Sequence, residues 1–172
     1  DLKKYNWTVR GLWNRDYSES REPLVPSAII ELLSHQNWAD LKLGHDPKFK
    51  FDFSRSVYKS IVQFVSLQHG KEYVIHPLPV NSFAADVNVE KKTVRLSWKD
   101  TKDITEPTAN PEKYVLYTRI NNGAFDNGWV IDHNNCEVRL IPGNIYSFKI
   151  TAINKGGESF PSEVLCAYIT PT

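Results

Sequence analysis

The sequence predicts a chain of two parts, a mixed α/β segment over residues 1–79 and an all-β sandwich over residues 80–172. Three observations predict it. Pro77 and Pro79, within His76-Pro77-Leu78-Pro79-Val80, forbid a continuous helix and favour an extended connector. After the connector, short runs of alternating apolar residues recur with turn residues between them, which is the texture of a sandwich. Before it, one short apolar run is followed by two stretches of helical pattern.

The composition supports folding. Of 172 residues 41% are hydrophobic and 24% charged, enough apolar surface for a buried core. The 21 Lys and Arg against 20 Asp and Glu leave a net charge of +1, so no cationic excess exists to track phosphates and a nucleic-acid partner is excluded. The longest apolar stretches fall far short of the roughly 20 residues of a membrane span, and no signal-peptide pattern opens the chain. The absence of Met, even at position 1, is the expectation for a processed product or an internal piece of a longer polypeptide.

In the first part, Val25-Pro26-Ser27-Ala28-Ile29-Ile30-Glu31-Leu32-Leu33 reads as a buried central strand, bounded by Pro before it and by Ser34-His35-Gln36-Asn37 after it. Glu31 lies at its far end. A carboxylate in an apolar strand is costly unless it is paired, hydrogen-bonded, metal-bound or exposed, so Glu31 is the residue to explain. Asn37 opens a short helical stretch through Leu43, and Asp46-Pro47 reads as an N-cap followed by proline at the first helical position. In the helix that follows, Phe53, Val57, Ile61 and Phe64 form an apolar stripe for the core, with Arg55, Lys59 and Gln63 facing elsewhere. One strand and two helices do not enclose themselves. The expectation is a truncated sheet whose exposed apolar surface a partner chain or exchanged strand covers.

The second part reads as about seven strands. These are Ser82 to Val89, Thr93 to Trp98, Tyr114 to Arg119, a middle strand near Trp129 to Asp132, Glu137 to Leu140, Ile145 to Ala152, and Val164 to Thr170. Val94, Leu96 and Trp98 share one face, as do Tyr146, Phe148, Ile150 and Ala152, and Asn154-Lys155-Gly156-Gly157 is a turn. Loops at Asp100 to Pro111 and Asn121 to Gly128 are long enough to bind something, although surface loops of this kind need no ligand. Cys136 and Cys166 lack CxxC spacing and read as two small buried hydrophobes rather than as a disulfide or metal pair.

Leu140-Ile141-Pro142-Gly143-Asn144-Ile145-Tyr146, then Phe148, Ile150, Ala152-Ile153-Asn154, Gly157-Glu158-Ser159 and Pro161-Ser162, resembles the later strands of fibronectin type III domains. Trp98 matches that family's core Trp. The resemblance implies an immunoglobulin-like sandwich in which Tyr146 makes a tyrosine corner, its hydroxyl bonding backbone nearby. Both residues are then structural. The family is a spacer or binding scaffold, and no Arg-Gly-Asp sequence points to cell attachment.

Pro26-Ser27-Ala28-Ile29-Ile30-Glu31, Ser34, Asn37 and Asp46-Pro47 with Phe49 resemble the C-terminal third of zinc-dependent N-acetylmuramoyl-L-alanine amidases of the type 3 family. Arg10-Gly11 and Tyr17 fall where that family has its Arg-Gly and aromatic strand. The whole is similar to secreted Bacteroidetes proteins, often labelled xanthan lyase, in which such a domain precedes a fibronectin type III-like module. The resemblance implies a secreted, periplasmic or cell-envelope hydrolase of peptidoglycan. In it Glu31 is general base and then acid beside a zinc-bound water, and His35 and Arg10 are candidate substrate contacts. The family's His, Glu and His zinc ligands lie upstream of the motif, so zinc belongs to the complete parent and this chain alone is expected to be inactive. At Ser34-His35-Gln36-Asn37 the chain departs from the Gly-Phe-Leu-Ser-Asn of many amidases. His35, His45, His69, His76 and His133 offer no pair at helical i, i+4 spacing and read as surface or loop histidines. The competing reading is a non-catalytic glycan-binding or adhesion module in which Trp7, Trp13 and Trp38 stack on sugars. A polysaccharide lyase needs a Tyr or His base with an Arg or Asn neutraliser in one cleft, and no such constellation stands out.

Overall fold

The structure is a computed structural model describing residues 2–6 and 8–171. Trp7 therefore lies outside the described residues. The chain forms two compact units, Asp1–Ile61 and Val62–Thr172, so the stretch carrying Pro77 and Pro79 belongs with the second.

The first unit is built on helices. A single 3-10 turn, Lys3–Tyr5, precedes α1 (Ser18–Arg21), α2 (Trp38–His45) and α3 (Pro47–Gln68), the last of which runs on into the second unit. Asn37 caps α2 through Oδ1, which accepts from the Ala39 and Asp40 N–H groups at 2.9 and 3.4 Å. Asp46 does the same for α3, accepting from the Lys48 N–H at 2.9 Å with Pro47 at the first helical position. The 3-10 turn is tied to α3 through Asp52, whose carboxylate takes a hydrogen bond from the Tyr5 hydroxyl and ion pairs from Lys4 at 2.6 Å and Lys48 at 3.6 Å.

Two expectations for this unit are corrected. Val25 to Leu33 forms no strand: the segment is irregular and pairs with no strand, and Val25, Ile29 and Ile30 are exposed. The reason is physical, because a strand exists only through a neighbour's N–H and C=O groups, and no other described residues of this unit form a strand. The expected α/β fragment is thus helical with irregular connections among the described residues. The stripe on α3 is also misassigned, since Phe53 and Val57 are only half-buried, Ile61 and Phe64 are exposed, and Arg55 and Lys59 are buried. Long aliphatic stems let Arg and Lys bury most of their surface while the charged head keeps a partner, and both residues do hold one.

The second unit is a β-sandwich of two antiparallel sheets. One sheet has the order β1-β2-β5, with β1 Asn81–Asn88, β2 Thr93–Lys99 and β5 Asn135–Arg139. The other runs β4-β3-β6, with β4 Trp129–Ile131, β3 Lys113–Ile120 and β6 Ile145–Asn154. On its far side β6 pairs with β7 (Gly157–Glu158) at one end and with β8 (Leu165–Tyr168) at the other. Two facing antiparallel sheets are the layout that the fibronectin type III resemblance implies. Alternation dictates the core: Val94, Leu96 and Trp98 from β2 meet Tyr146, Phe148, Ile150 and Ala152 from β6, with Tyr114 and Leu116 from β3. Trp98 stands edge-on to Tyr114 and Phe83, at centroid distances of 5.3 and 6.3 Å.

The proline-bearing stretch is bound to the sandwich. Asn154 Nδ2 donates to the carbonyls of Ile75, Thr108 and Asn110 at 2.9, 3.1 and 3.1 Å, and the Ile75 N–H donates to the Thr108 hydroxyl at 3.1 Å. Gly156 makes this possible, because a Cβ there would lie 2.4 Å from the Val74 carbonyl oxygen.

Candidate functional site

The sequence points to Glu31, Arg10 and His35, and the structure distributes them over two places in the first unit. Arg10 Nη1 and Glu31 Oε2 lie 3.8 Å apart, and each side chain is 74% exposed. Such a pair in water contributes about 1 kcal/mol at most. Glu31 therefore stands at no strand end and in no apolar enclosure, and the side chain it pairs with is a cation.

Arg10 also belongs to an aromatic group. Its guanidinium lies 5.4 Å from the centroid of Trp13 and that of Arg15 lies 4.1 Å from it, while the Trp13 indole N–H donates to the Arg10 carbonyl at 3.0 Å. Trp13 remains 54% exposed. Guanidiniums laid on an indole keep their N–H edges free to donate, so an exposed ring with charged flanks results. Arg15 was not singled out by sequence, although its spacing of two from Trp13 in an extended segment is a usable signal.

His35 lies elsewhere, in an open cleft of about 500 Å³ between the segment 32–35, the later part of α2 and the first turns of α3. Its lining includes Phe49, which the motif contains, and Asp40, His45 and Lys50, which it does not. The two caps explain their convergence, since Asn37 and Asp46 start consecutive helices and fold the chain sharply between them. Asp40 Oδ2 accepts from the Ser34 N–H at 2.8 Å, and Leu33 is held at φ 60°, a conformation costly for a side chain of its size. Glu31 and Arg10 do not line this cleft. Among the described residues no group of three or more His, Cys, Asp or Glu side chains is placed to hold a metal ion.

In the second unit the Ile141 N–H donates to the Tyr146 hydroxyl at 3.1 Å, and both Tyr146 and Trp98 are buried. Their places are structural. Cys136 is buried, which pushes its thiol up to about 11, whereas Cys166 is exposed on β8, against expectation; both are free. Cys166 misleads because β8 is four residues long and its outward positions are uncovered. The loop over residues 100–111 folds on its own polar groups, with buried Glu106 accepting from the Thr108 hydroxyl at 2.8 Å. The loop over residues 121–128 is pinned by Asp126 Oδ1, which accepts from the Thr118 and Gly128 N–H groups at 3.0 Å each. Among the described residues no helix is long and apolar enough to cross a membrane.

No family model matches this chain, and no curated protein does. Solved structures similar to it include the twitchin kinase region from C. elegans, at 24% identity over 55% of this chain and 17% of that one, with a TM-score of 0.48. A fourth FNIII domain from human matches at 22% identity over 56% of this chain and 81% of that one, also with a TM-score of 0.48. A structure of titin kinase and its flanking domains matches at 19% identity over 56% of this chain and 18% of that one, with a TM-score of 0.47.

Proposed function

We propose that this chain is a non-catalytic segment of a secreted cell-envelope hydrolase of the N-acetylmuramoyl-L-alanine amidase kind, and that its first unit holds the glycan of the cell wall. The observation that carries the binding role is the exposure of aromatic side chains where a core would normally take them. Trp13 and Trp38 are 54% and 70% exposed in a unit whose one buried apolar side chain, among those described, is Phe49. Exposed indole faces stack on sugar rings, and flanking guanidiniums donate to hydroxyls and carboxylates. The amidase assignment is supported by the motif over residues 26–49 and by the order of the two parts.

Zinc, which the amidase resemblance implies, finds no donor set among the described residues of this chain. On this reading the metal, and the proton transfer by Glu31 that depends on it, belong to the complete parent protein. The test is co-sedimentation of the chain with insoluble peptidoglycan. Wild type should pellet with the wall, and Trp13→Ala with Trp38→Ala should release about 90% of it, a loss of about 1.4 kcal/mol or more in binding. A chain that stays in the supernatant sinks the binding role. Release of peptide from muropeptides by this chain with added zinc, above the buffer rate, sinks the non-catalytic one.

A further inference from the structure

The outer face of the β4-β3-β6-β8 sheet carries a feature that neither the scaffold nor the first unit explains. In the antiparallel pairing of β3 with β6, Arg119 stands opposite Ser147 and Tyr117 opposite Lys149, which makes Arg119 and Lys149 diagonal neighbours on one face. Like charges so placed repel, and a carboxylate between them would relieve the repulsion. None is inserted here. The carboxylates of the surrounding elements are turned to other donors: Glu158 accepts from the Tyr117 and Thr151 hydroxyls at 2.7 and 2.6 Å, and Asp126 from the backbone N–H groups of its own loop.

Aromatic rings hold the two cations instead. Phe125, on the loop over residues 121–128, lies 4.5 Å from Lys149 Nζ and 5.0 Å from Arg119 Cζ, and Tyr117 lies 5.1 Å from Lys149 Nζ. Arg119 Nη2 donates to the Ser147 hydroxyl at 3.1 Å, which fixes the guanidinium, while Arg119 Nε is buried and has no hydrogen-bond partner. A guanidinium fixed by Ser147, a second cation beside it and two aromatic rings form a set that lacks an anion with a flat apolar face.

We propose that this face binds an acidic polysaccharide, with the carboxylate of a uronic acid unit between Arg119 and Lys149 and its sugar ring against Phe125. Charge complementarity selects the carboxylate, and the exposed edge of the Phe125 loop selects a ring over a bare acidic chain. The site lies wholly in the sandwich, so it stands or falls independently of glycan binding by the first unit.

The experiment is affinity electrophoresis of the full chain through gels containing polygalacturonate, dextran or poly-L-glutamate. Polygalacturonate should retard the chain and dextran should not. Arg119→Gln with Lys149→Gln, and separately Phe125→Ala, should each weaken retardation about tenfold, the effect of losing a charged hydrogen bond or a stacked ring. Salt at about 1 M should abolish it. The conservative Arg119→Lys keeps the charge and the fold but loses the guanidinium fork, and should fall between. An unretarded wild type overturns the proposal, as does a double variant that melts like wild type and binds within about twofold of it. Equal retardation by poly-L-glutamate overturns the polysaccharide assignment. Trp13→Ala with Trp38→Ala, run in parallel, should leave polygalacturonate retardation intact; its loss there would move the site to the first unit and overturn this one.

Discussion

Residues 62–172 bury Phe148, Ile150, Leu96 and Val94 completely, whereas the described part of residues 2–61 buries one apolar side chain, Phe49, and leaves Leu12, Leu24 and Val25 in water. The two units have comparable apolar content, so the difference lies in pairing. Each strand of the sandwich supplies a neighbour with backbone partners and a facing layer of side chains. The first unit has caps and a polar knot around Asp52 but no second layer. What holds the first unit is local and electrostatic, and what holds the second is burial between two sheets.

The widest separation between the units should come from apolar truncation. Phe148→Ala, at a site with no exposure, should cost about 3 to 5 kcal/mol, the range for a fully buried Phe. Ile29→Ala, at a side chain 46% exposed, should change stability by about 0.5 kcal/mol or less. Urea denaturation of the full chain, followed by the tryptophan signal, measures both. A cost at Ile29 near that at Phe148 would mean that the segment 25–33 has a buried partner after all and would break the contrast.

A finer separation comes from single hydrogen bonds. Tyr146→Phe leaves the Ile141 N–H without its acceptor and should lower the stability of the sandwich by about 1 kcal/mol. Asn37→Ala removes the cap of α2 and should cost a similar amount of about 1 kcal/mol, felt only in the first unit. Hydrogen exchange distinguishes the two, with protection falling across β6 and its neighbours in one variant and over residues 38–45 in the other. Spread of the Asn37 effect into β3 or β6 would show that the units unfold together.

The same contrast explains what could be read from the amino-acid order. Strand β2 is legible because it alternates against a facing sheet, strands β3 and β6 because they are runs of β-branched and aromatic residues between turns, and helices α2 and α3 because Asn37 and Asp46-Pro47 are local signals with local causes. Residues 25–33 carry the composition of a strand, yet composition cannot supply the neighbour that a strand needs. Arg55 and Lys59 looked like solvent positions because charge is visible in a sequence and the burial of an aliphatic stem is not. At the candidate site, Glu31, Arg10 and His35 were picked out by motif, but the Arg10–Glu31 pair and the separate cleft holding His35 depend on chain reversals with no sequence mark. The Arg119, Lys149 and Phe125 group was hidden for another reason, since it needs the register of two strands and the return of a loop at once.

The smallest effect concerns acid. Burial pushes the Asp52 carboxyl upward, but hydrogen bonds from Lys4 and Tyr5, with the charges of Lys4 and Lys48, outweigh it and hold the group below the usual carboxylate range. The folded unit therefore binds a proton less readily than the unfolded chain does. Its stabilisation is complete above the ordinary value of about 4 and is lost as pH falls through the lower folded value. The knot is partly screened by water and should contribute about 1 kcal/mol or less. Tyr5, Tyr114 and Tyr117 are each pushed up to about 12, the first two chiefly by burial and Tyr117 chiefly by its hydrogen bond to Glu158. Alkali should thus weaken both units, with stability complete below about pH 10 and falling as pH rises towards the folded values. Acid acting through Asp52 should loosen the first unit alone. Amide exchange of residues 3–5 and of α3 around Asp52, compared at pH 6 and pH 3 after correction for intrinsic rates, measures that loosening, and Asp52→Asn should remove the pH dependence. A wild-type chain whose first unit exchanges identically at both values would show that the Lys4, Tyr5 and Asp52 knot does not hold the N-terminal turn to the helix, leaving the caps of α2 and α3 as the unit's main local constraint.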